Sequence, residues 1–278
     1  MTQPHITLNN GITIPQVGLG VWQAKDGKEV EAAVSAALKA GYRMIDTAAV
    51  YGNEKGVGRA IKASGIPRDE IFVTTKLWNA DQGYDKTLQA FAKSLERLQL
   101  DYIDLYLIHW PAPAANKYND TWRAFEKIFN DGLARSIGVS NFKPHHLEDL
   151  LDHAVIPPAV NQIELHPQFP QHGTRLLCNQ HDIAVESWSP LGGSTGGLLT
   201  NQKIIDIGHK HGKSAAQIII RWHIENGSIV IPKSVHAERI EQNFDVFDFT
   251  LDADDMAQIA TLDTGERIGA DPDSTNFT

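Results

Sequence analysis

The amino-acid sequence predicts an α/β fold, and within that class a (β/α)8 barrel, because short apolar runs alternate with helical patterns along it. Eight apolar runs follow one another, at 17–21, 42–46, 71–76, 102–109, 135–140, 159–164, 183–189 and 228–234. Few polar residues alternate within them, which is typical of parallel strands covered on both faces. Helical patterns lie between the runs, at 29–40, 54–63, 86–98, 118–130 and 213–224. Eight strand–helix units in roughly 250 residues fit a closed barrel, although an open doubly wound sheet also accommodates this pattern.

Two further segments complete the predicted fold. Residues 6–14 are expected to form a β-hairpin that plugs the bottom of the barrel, and Asn10-Gly11 is a strong signal for a type I′ turn within it. A Gly-rich stretch at 191–199, after the seventh run, is expected to form a mobile flap.

Composition limits the classes of protein that need to be considered. The chain has 278 residues, 42% of them apolar, which suffices for a single domain over 1–278, although two smaller domains also fit this length. The net charge of −9 argues against a nucleic-acid partner, whose phosphates would be repelled. Cys178 is the single cysteine, so no internal disulfide forms. Neither a signal peptide nor a membrane-spanning stretch is apparent, so a cytoplasmic location is expected.

Four ionisable side chains lie where three of the predicted strands end. Asp46 and, shortly after it, Tyr51 follow the second run, Lys76 ends the third, and His109 ends the fourth. Each of them alone has an ordinary explanation, such as packing or a solvated charge. The active site of a (β/α)8 barrel lies at the carboxyl ends of its strands, so we expect all four side chains to converge there.

These four groups are suited to delivering a proton to a carbonyl oxygen. A tyrosine with a pKa near ~10 is a poor acid at neutral pH, and the ammonium of Lys76, held by Asp46, is expected to lower the pKa of Tyr51. His109 is expected to donate a hydrogen bond to the substrate oxygen or to take part in the proton transfer. Reduction of a carbonyl also needs a hydride, which no side chain supplies, so a cofactor is required.

Aromatic and basic residues indicate where the ligands lie. Four tryptophans lie at or just beyond strand ends and predict an apolar pocket with an aromatic floor: Trp22, Trp78, Trp110 and Trp188. The sequence contains no G-x-G-x-x-G motif, so a Rossmann site is unsupported. Lys233, Ser234 and Arg239, after the last strand, instead suit the 2′-phosphate of NADPH at a helix start. A plain helix N-cap by Ser234 explains the same pattern.

The motifs that carry these residues resemble those of the aldo-keto reductases. They are GYRMIDTAAVYGNEKGVG (41–58), TTKLWN (74–79), LIHWP (107–111), IGVSNF (137–142), NQIELHP (161–167), ESWSPLG (186–192) and IPKSVHAERIEQN (231–243). They occur in order over essentially the whole chain and look closest to the bacterial 2,5-diketo-D-gluconate reductase branch. The resemblance implies a monomeric, NADPH-dependent (β/α)8 reductase of small aldehydes, ketones or dicarbonyls, such as 2,5-diketo-D-gluconate, methylglyoxal or β-keto esters.

The resemblance also implies a role for each matching residue. Tyr51 would be the proton donor, Lys76 and Asp46 the pair that lowers its pKa, and His109 the group that orients the carbonyl. The substrate would contact His109 together with Trp22, Trp78 and Trp110. Matching positions hold the nicotinamide carboxamide (Ser140, Asn141, Gln162), the nicotinamide ring (Trp188), the pyrophosphate (Ser189, Leu191) and the adenosine 2′-phosphate with adenine (Lys233, Ser234, Val235, Arg239, Asn243).

The chain departs from the family pattern at three places. Met44 replaces a residue that is often histidine or serine, and it is expected to point into the sheet interior without affecting the chemistry. His236 replaces an arginine found in some relatives, which implies a weaker preference for NADPH over NADH. The chain ends soon after Asp263, which implies a shortened rim and an open pocket that accepts small, polar dicarbonyls.

Two other classes of function compete with the reductase. Some relatives bind NADPH and report on redox state with little turnover. A barrel hydrolase would use Glu164 and Glu186 as its carboxylate pair. The histidines at 145–146 and at 209 and 211 do not make a credible metal site, and no bound metal is expected.

Overall fold

Eight parallel strands form the central sheet, and their order across the sheet is their order along the chain. A computed structural model describes residues 3–193 and 197–276. The sheet strands are β3 (Leu19–Gly20), β4 (Met44–Asp46), β5 (Phe72–Leu77), β6 (Ile103–Ile108), β7 (Ala134–Ser140), β8 (Val160–Glu164), β9 (Ala184–Trp188) and β10 (Ile229–Val230). Bridges between Val17 and Val230 and between Gly20 and Lys233 join the first strand to the last. The predicted barrel is therefore confirmed, and the open doubly wound sheet is wrong.

Ten helices occur among the described residues. They are α1 (Lys28–Ala40), α2 (Glu54–Ser64), α3 (Tyr84–Leu98), α4 (Tyr118–Asn130), α5 (Pro144–His153), α6 (His172–Gln180), α7 (Gln202–His211), α8 (Ala215–Glu225), α9 (Ala237–Phe244) and α10 (Ala253–Ala260). The prediction for α4 matches at both ends. Helix α8 begins two residues later than predicted, because Ser214 caps it by accepting the N–H of Gln217 (3.3 Å). None of the described helices is long and apolar enough to cross a membrane.

The N-terminal hairpin, β1 (His5–Thr7) and β2 (Thr13–Pro15), closes the bottom of the barrel as predicted. The side-chain amide of Asn9 donates to the carbonyl oxygen of Pro158, just before β8. That of Asn10 donates to the carbonyl oxygen of Arg135, near the start of β7. The predicted type I′ turn is wrong, since Gly11 has φ of 83° whereas Asn10 is not among the residues with positive φ. The loop instead has three residues, with glycine in the left-handed position that such loops favour.

Strand alternation divides the barrel interior into an apolar lower layer and a polar upper layer. Side chains two residues apart on a strand point to the same face. The lower layer contains Leu8 and Ile14 of the hairpin with Met44, Phe72, Leu105, Leu107, Val160, Ile229 and Ile231 of the barrel. Met44 therefore points inward as predicted. The polar groups Asp46, Lys76 and Gln162 follow on the same faces of β4, β5 and β8, nearer the strand ends.

The Gly-rich stretch predicted as a flap is described only in part. Ser194, Thr195 and Gly196 lie outside the described residues. On either side of them, Leu191 and Leu198 pack in the apolar cluster with residues of α7 and α8, such as Ile204 and Ile218.

Replacing Gly58 by alanine should destabilise the fold. A β-carbon at Gly58, on α2, would overlap the backbone carbonyl of Leu98, at the end of α3. We expect a loss of about 1–3 kcal/mol in the free energy of unfolding from this overpacking, despite the better helix propensity of alanine. Urea denaturation followed by circular dichroism measures it. Gly173→Ala on α6 is the matched control, because a β-carbon there meets nothing within 4 Å. Equal stability of the two variants would contradict the prediction.

Candidate active site

A buried ion pair lies at the centre of the upper layer. Lys76 is wholly buried, and its Nζ lies 2.6 Å from Oδ1 of Asp46 and 3.0 Å from the carbonyl oxygen of Thr47. Burial would lower the pKa of Lys76, but the charge of Asp46 and the hydrogen bond to it contribute in the opposite direction, and the net result is a raised pKa. The side chain is therefore an ammonium ion at neutral pH.

Tyr51 faces this ammonium from the short 3-10 turn Ala49–Tyr51 that follows β4. The centroid of its ring lies 5.2 Å from Lys76 Nζ. The sequence argument predicted a lowered pKa for Tyr51, and that prediction is wrong for the protein alone. Removal from water raises the pKa, Lys76 lowers it, and the negative charge of Asp46 raises it again, so that the net change is upward. Tyr51 thus keeps its proton at rest.

His109 completes the predicted group of four and is neutral. It follows β6, is only 8% exposed, and its ring centroid lies 5.7 Å from that of Tyr51 and 5.3 Å from that of Trp78. Burial, with a further contribution from the Lys76 charge, holds the pKa of His109 well below its usual value. A neutral imidazole beside the phenol can donate a hydrogen bond without adding a second cation.

Gln162 joins Asp46 to a second buried carboxyl group that the sequence argument did not connect to the site. Its Nε2 donates to Asp46 Oδ2 (2.8 Å) and to Glu186 Oε2 (3.0 Å). Burial and the negative charge of Asp46 raise the pKa of Glu186 to about 8. Glu186 is therefore mostly protonated at neutral pH. Its position on β9, two residues before the inward-facing Trp188, was the signal in the sequence.

The four groups adjoin a cavity of about 550 Å³ at the carboxyl ends of the strands, within the range of small-molecule sites. Three of the four line it directly, while Lys76 lies beneath, bonded to Asp46. The four tryptophans predicted to form an aromatic floor all line the cavity: Trp22, Trp78, Trp110 and Trp188. Trp22 is 54% exposed and so stands at the rim.

The residues predicted to hold the nicotinamide end of the cofactor are partly engaged with one another. Ser140, Asn141, Gln162, Trp188 and Ser189 line the cavity. The amide of Asn141 donates to the carbonyl oxygen of His109 (2.9 Å) and accepts the indole N–H of Trp188 (2.8 Å), so it ties β6, β7 and β9 together. Leu191 is not among the lining residues, because its side chain packs in the apolar core.

The residues predicted to bind the 2′-phosphate lie around the start of α9. Lys233 lines the cavity, and both Lys233 and Arg239 are exposed, with no carboxylate partner among the described residues. Ser234 is buried and accepts the N–H of His236 (3.1 Å), so its hydroxyl shapes the turn into the helix, close to the capping role considered from the sequence. Val235 packs against the barrel core, and Asn243 is buried on α9.

The rim is not simply shortened as expected, because the C-terminal segment, residues 264–276, returns to the cavity and contributes to its lining. Gly269 and Ala270 line the cavity. Glu164 accepts the backbone N–H groups of Ile268 and Gly269, at 2.6 and 2.8 Å. Neither Glu164 nor Glu186 lines the cavity, and both oxygens of Glu164 are occupied by these backbone groups, so the hydrolase alternative loses its carboxylate pair. The signal in the sequence was an ionisable residue at the end of a predicted buried strand, Glu164 on β8.

One group of possible metal ligands occurs among the described residues, although no bound metal was expected. Ligand atoms of His145, His146 and Asp273 lie within 4.8 Å of one another. The N–H of Lys143 points at Nδ1 of His146 (3.2 Å), which places the ring proton on Nε2, the atom that faces Asp273. A metal would need the lone pair of that nitrogen. The cluster is better explained as a hydrogen-bonded contact of the C-terminal segment, and the absence of a metal stays a prediction.

Comparison with known proteins agrees with this geometry. The sequence profile of the Aldo/keto reductase family matches residues 16–264. The chain is 58% identical to an aldo-keto reductase of Mycolicibacterium smegmatis over 99% of both proteins. It is 53% identical to the glyoxal reductase of Bacillus subtilis over 98% of this chain and 97% of that protein. It superposes with a TM-score of 0.95 on a mutant of Gox0644 crystallised in complex with NADPH, which is 47% identical over 100% of both chains.

The barrel and these relatives define an NADPH-dependent oxidoreductase that acts on carbonyl groups. The chain belongs to the aldo/keto reductase family, as its motifs predicted. The alternative of a redox-sensing module with little turnover is not favoured. The roles of individual residues stay predictions.

Replacing Glu186 by glutamine should stabilise the protein at alkaline pH. The pKa of Glu186 is raised from 4.5 to about 8 in the folded state, so on raising the pH the unfolded chain releases this proton first. The folded state loses stability between those two values and loses no more above them. Glu186→Gln removes this loss, so its advantage should be small at pH 5 and reach roughly a few kcal/mol at pH 9.

Melting temperatures at several pH values measure this effect. Glu148→Gln, at an exposed position on α5, is the control and should follow the wild type. A constant difference between Glu186→Gln and the wild type across pH would show that the folded-state pKa of Glu186 is not raised.

Proposed function

We propose that this protein uses NADPH to reduce the carbonyl group of small aldehydes, ketones and dicarbonyls, with Tyr51 as the proton donor. The observation that carries the proposal is the buried Lys76–Asp46 pair placed beneath Tyr51 and beside neutral His109. A buried ion pair costs several kcal/mol per ion in lost hydration, roughly. Such a pair next to a tyrosine at a pocket is readily explained if it supports a charged form of that tyrosine.

The residues present fit the cofactor. The indole of Trp188 and the polar groups of Ser140 and Gln162 line the cavity, and the exposed cations Lys233 and Arg239 lie near the start of α9. They would hold the nicotinamide end and the 2′-phosphate respectively. NADPH, when bound, supplies the hydride that adds to the carbonyl carbon.

The side chains of this protein would stabilise the negative charge that develops on the carbonyl oxygen and would supply the proton that neutralises it. Neutral His109 donates a hydrogen bond to that oxygen and orients it toward Tyr51. As negative charge develops on the oxygen, Tyr51 transfers its phenolic proton to it. The ammonium of Lys76 then stabilises the tyrosinate, and Asp46 keeps the ammonium in place. Lys76 thus lowers the free energy needed to form the tyrosinate during the reaction.

The likeness to the Bacillus subtilis glyoxal reductase supports dicarbonyls such as glyoxal and methylglyoxal as substrates. 2,5-Diketo-D-gluconate and β-keto esters belong to the same chemical class and remain candidates. We further propose a single domain over 1–278, monomeric and cytoplasmic, without a nucleic-acid partner. One continuous barrel sheet, the single buried cysteine and the net charge of −9 support this.

Replacing Tyr51 by phenylalanine should abolish turnover and leave the cofactor bound. The variant keeps the ring but lacks the proton, so we expect kcat to fall by about 10²–10⁴-fold, with the dissociation constant of NADPH nearly unchanged. NADPH oxidation with methylglyoxal, 2,5-diketogluconate and a β-keto ester measures kcat, and quenching of protein fluorescence measures binding. Tyr84→Phe, on α3 and outside the cavity lining, is the matched control. Turnover retained in Tyr51→Phe would refute the role of Tyr51.

Replacing Arg239 by glutamine should weaken binding of NADPH but not of NADH. The lost guanidinium would face the 2′-phosphate, which NADH lacks, and a charge-assisted contact of this kind contributes about 1.5–3 kcal/mol. We therefore expect the dissociation constant of NADPH to rise about tenfold or more. Lys62→Gln, an exposed lysine on α2, serves as the control. Equal weakening for both cofactors would place Arg239 outside the phosphate site.

A further inference from the structure

Glu164 holds the C-terminal segment at the point where that segment lines the pocket. The carboxylate is fully buried at the end of β8. One oxygen accepts the backbone N–H of Ile268 at 2.6 Å, and the other accepts that of Gly269 at 2.8 Å. Gly269 and Ala270 are the residues by which the segment reaches the cavity. The two hydrogen bonds therefore hold the part of the segment that lines the cavity rather than a distant part of it.

The carboxylate of Glu164 is charged where it lies. Burial would raise its pKa, but hydrogen bonds from His166 and from the N–H groups of Ile268 and Gly269 outweigh burial and lower it. His166 Nε2 lies 3.1 Å from one oxygen, and Arg267 lies 3.8 Å from the other. Hydrogen bonds to an ionised acceptor are shorter and roughly twice as strong as neutral ones. This part of the segment is accordingly held firmly, although it belongs to no helix or strand.

The segment passes so close to Trp188 that it needs a glycine there. A β-carbon at Gly269 would overlap the indole of Trp188 and lie 2.8 Å from Glu164 Oε2. Glu164 and Trp188 are also direct neighbours in the register of β8 and β9. Glu164 therefore fixes the distance between the segment and the tryptophan that lines the cavity.

We propose that Glu164 is a positioning residue that limits the size of the substrate. By holding the segment against Trp188, it closes one side of the pocket to bulky groups and leaves room for small aldehydes and dicarbonyls. This inference rests on the proposed carbonyl reduction and adds to it the residue that restricts the substrate. Glu164 does not touch the reacting atoms and acts only through residues 268–270.

The test uses Glu164→Gln in the full-length protein, since glutamine keeps the size but replaces one acceptor oxygen with an N–H donor. Hydrogen–deuterium exchange in the peptide covering 264–276 should become about tenfold faster or more. The KM for methylglyoxal should rise about tenfold with a smaller change in kcat, while kcat/KM for a bulky aromatic aldehyde, 2-naphthaldehyde, should be unchanged or higher. The dissociation constant of NADPH should stay within about twofold of the wild-type value.

A second variant and a control distinguish a specific effect of this contact from a general structural defect. Gly269→Ala leaves Glu164 intact but forces the segment away from Trp188, and it should shift selectivity in the same direction. Asp271→Asn removes a different attachment of the segment, the exposed contact with Lys143 Nζ at 2.6 Å. Exposed ion pairs contribute little, so this variant should match the wild type in both exchange and selectivity.

The outcomes separate this inference from the proposed function. Unchanged exchange in Glu164→Gln would show that the carboxylate does not hold the segment. Faster exchange with unchanged substrate selectivity in both Glu164→Gln and Gly269→Ala would show that the segment does not limit the substrate. Either result overturns the inference while carbonyl reduction stands. If the wild type itself fails to oxidise NADPH with any carbonyl, the proposed function fails, and the exchange experiment still reports on the attachment.

Discussion

The ion pair between Lys76 and Asp46 is the interaction on which the rest of the site depends. Two charges without water in a barrel interior are tolerated only with close geometry and further hydrogen bonds, which Thr47 and Gln162 supply. These two charges also affect the protonation states of the neighbouring groups. Burial, together with the charge of Lys76, keeps His109 neutral, and burial, together with the charge of Asp46, keeps Glu186 mostly protonated. The centre of the site thus contains one positive and one negative charge, with its remaining titratable groups neutral.

The barrel tolerates this polar layer because a large apolar cluster lies below it. Alternation along each strand puts Met44 and Phe72 inside, in the lower layer, and Asp46 and Lys76 inside, one step higher. The hairpin seals the lower end, so the interior opens at the upper end, where the cavity lies. Stability and chemistry are therefore supplied by different layers of the same strands.

Local features of the sequence predicted the strands and the residues at their ends, because burial and alternation act over a few neighbouring positions. Helix α6 is one of those that were not predicted, since Gly173 and Thr174 disfavour a helix and its apolar pattern is weak. Contacts between residues far apart in the sequence could not be predicted either. Gln162 meets Asp46 across 116 positions, and Ile268 meets Glu164 across 104. The segment after Asp263 is short and has no periodicity, so its sequence did not indicate that residues 269 and 270 line the cavity.

The raised pKa of Tyr51 follows from the same arrangement and suits the proposed reaction. A tyrosine with a strongly lowered pKa would lose its proton in the resting protein and have none to give. Burial keeps the phenol protonated, while Lys76 at 5.2 Å from the ring centroid makes its anion accessible once negative charge appears on the substrate oxygen. The proton then moves because the substrate has become a stronger base, not because the tyrosine was a strong acid beforehand. Glu186 enters the same balance, because its ionisation above a pH of about 8 would add a negative charge that opposes formation of the tyrosinate.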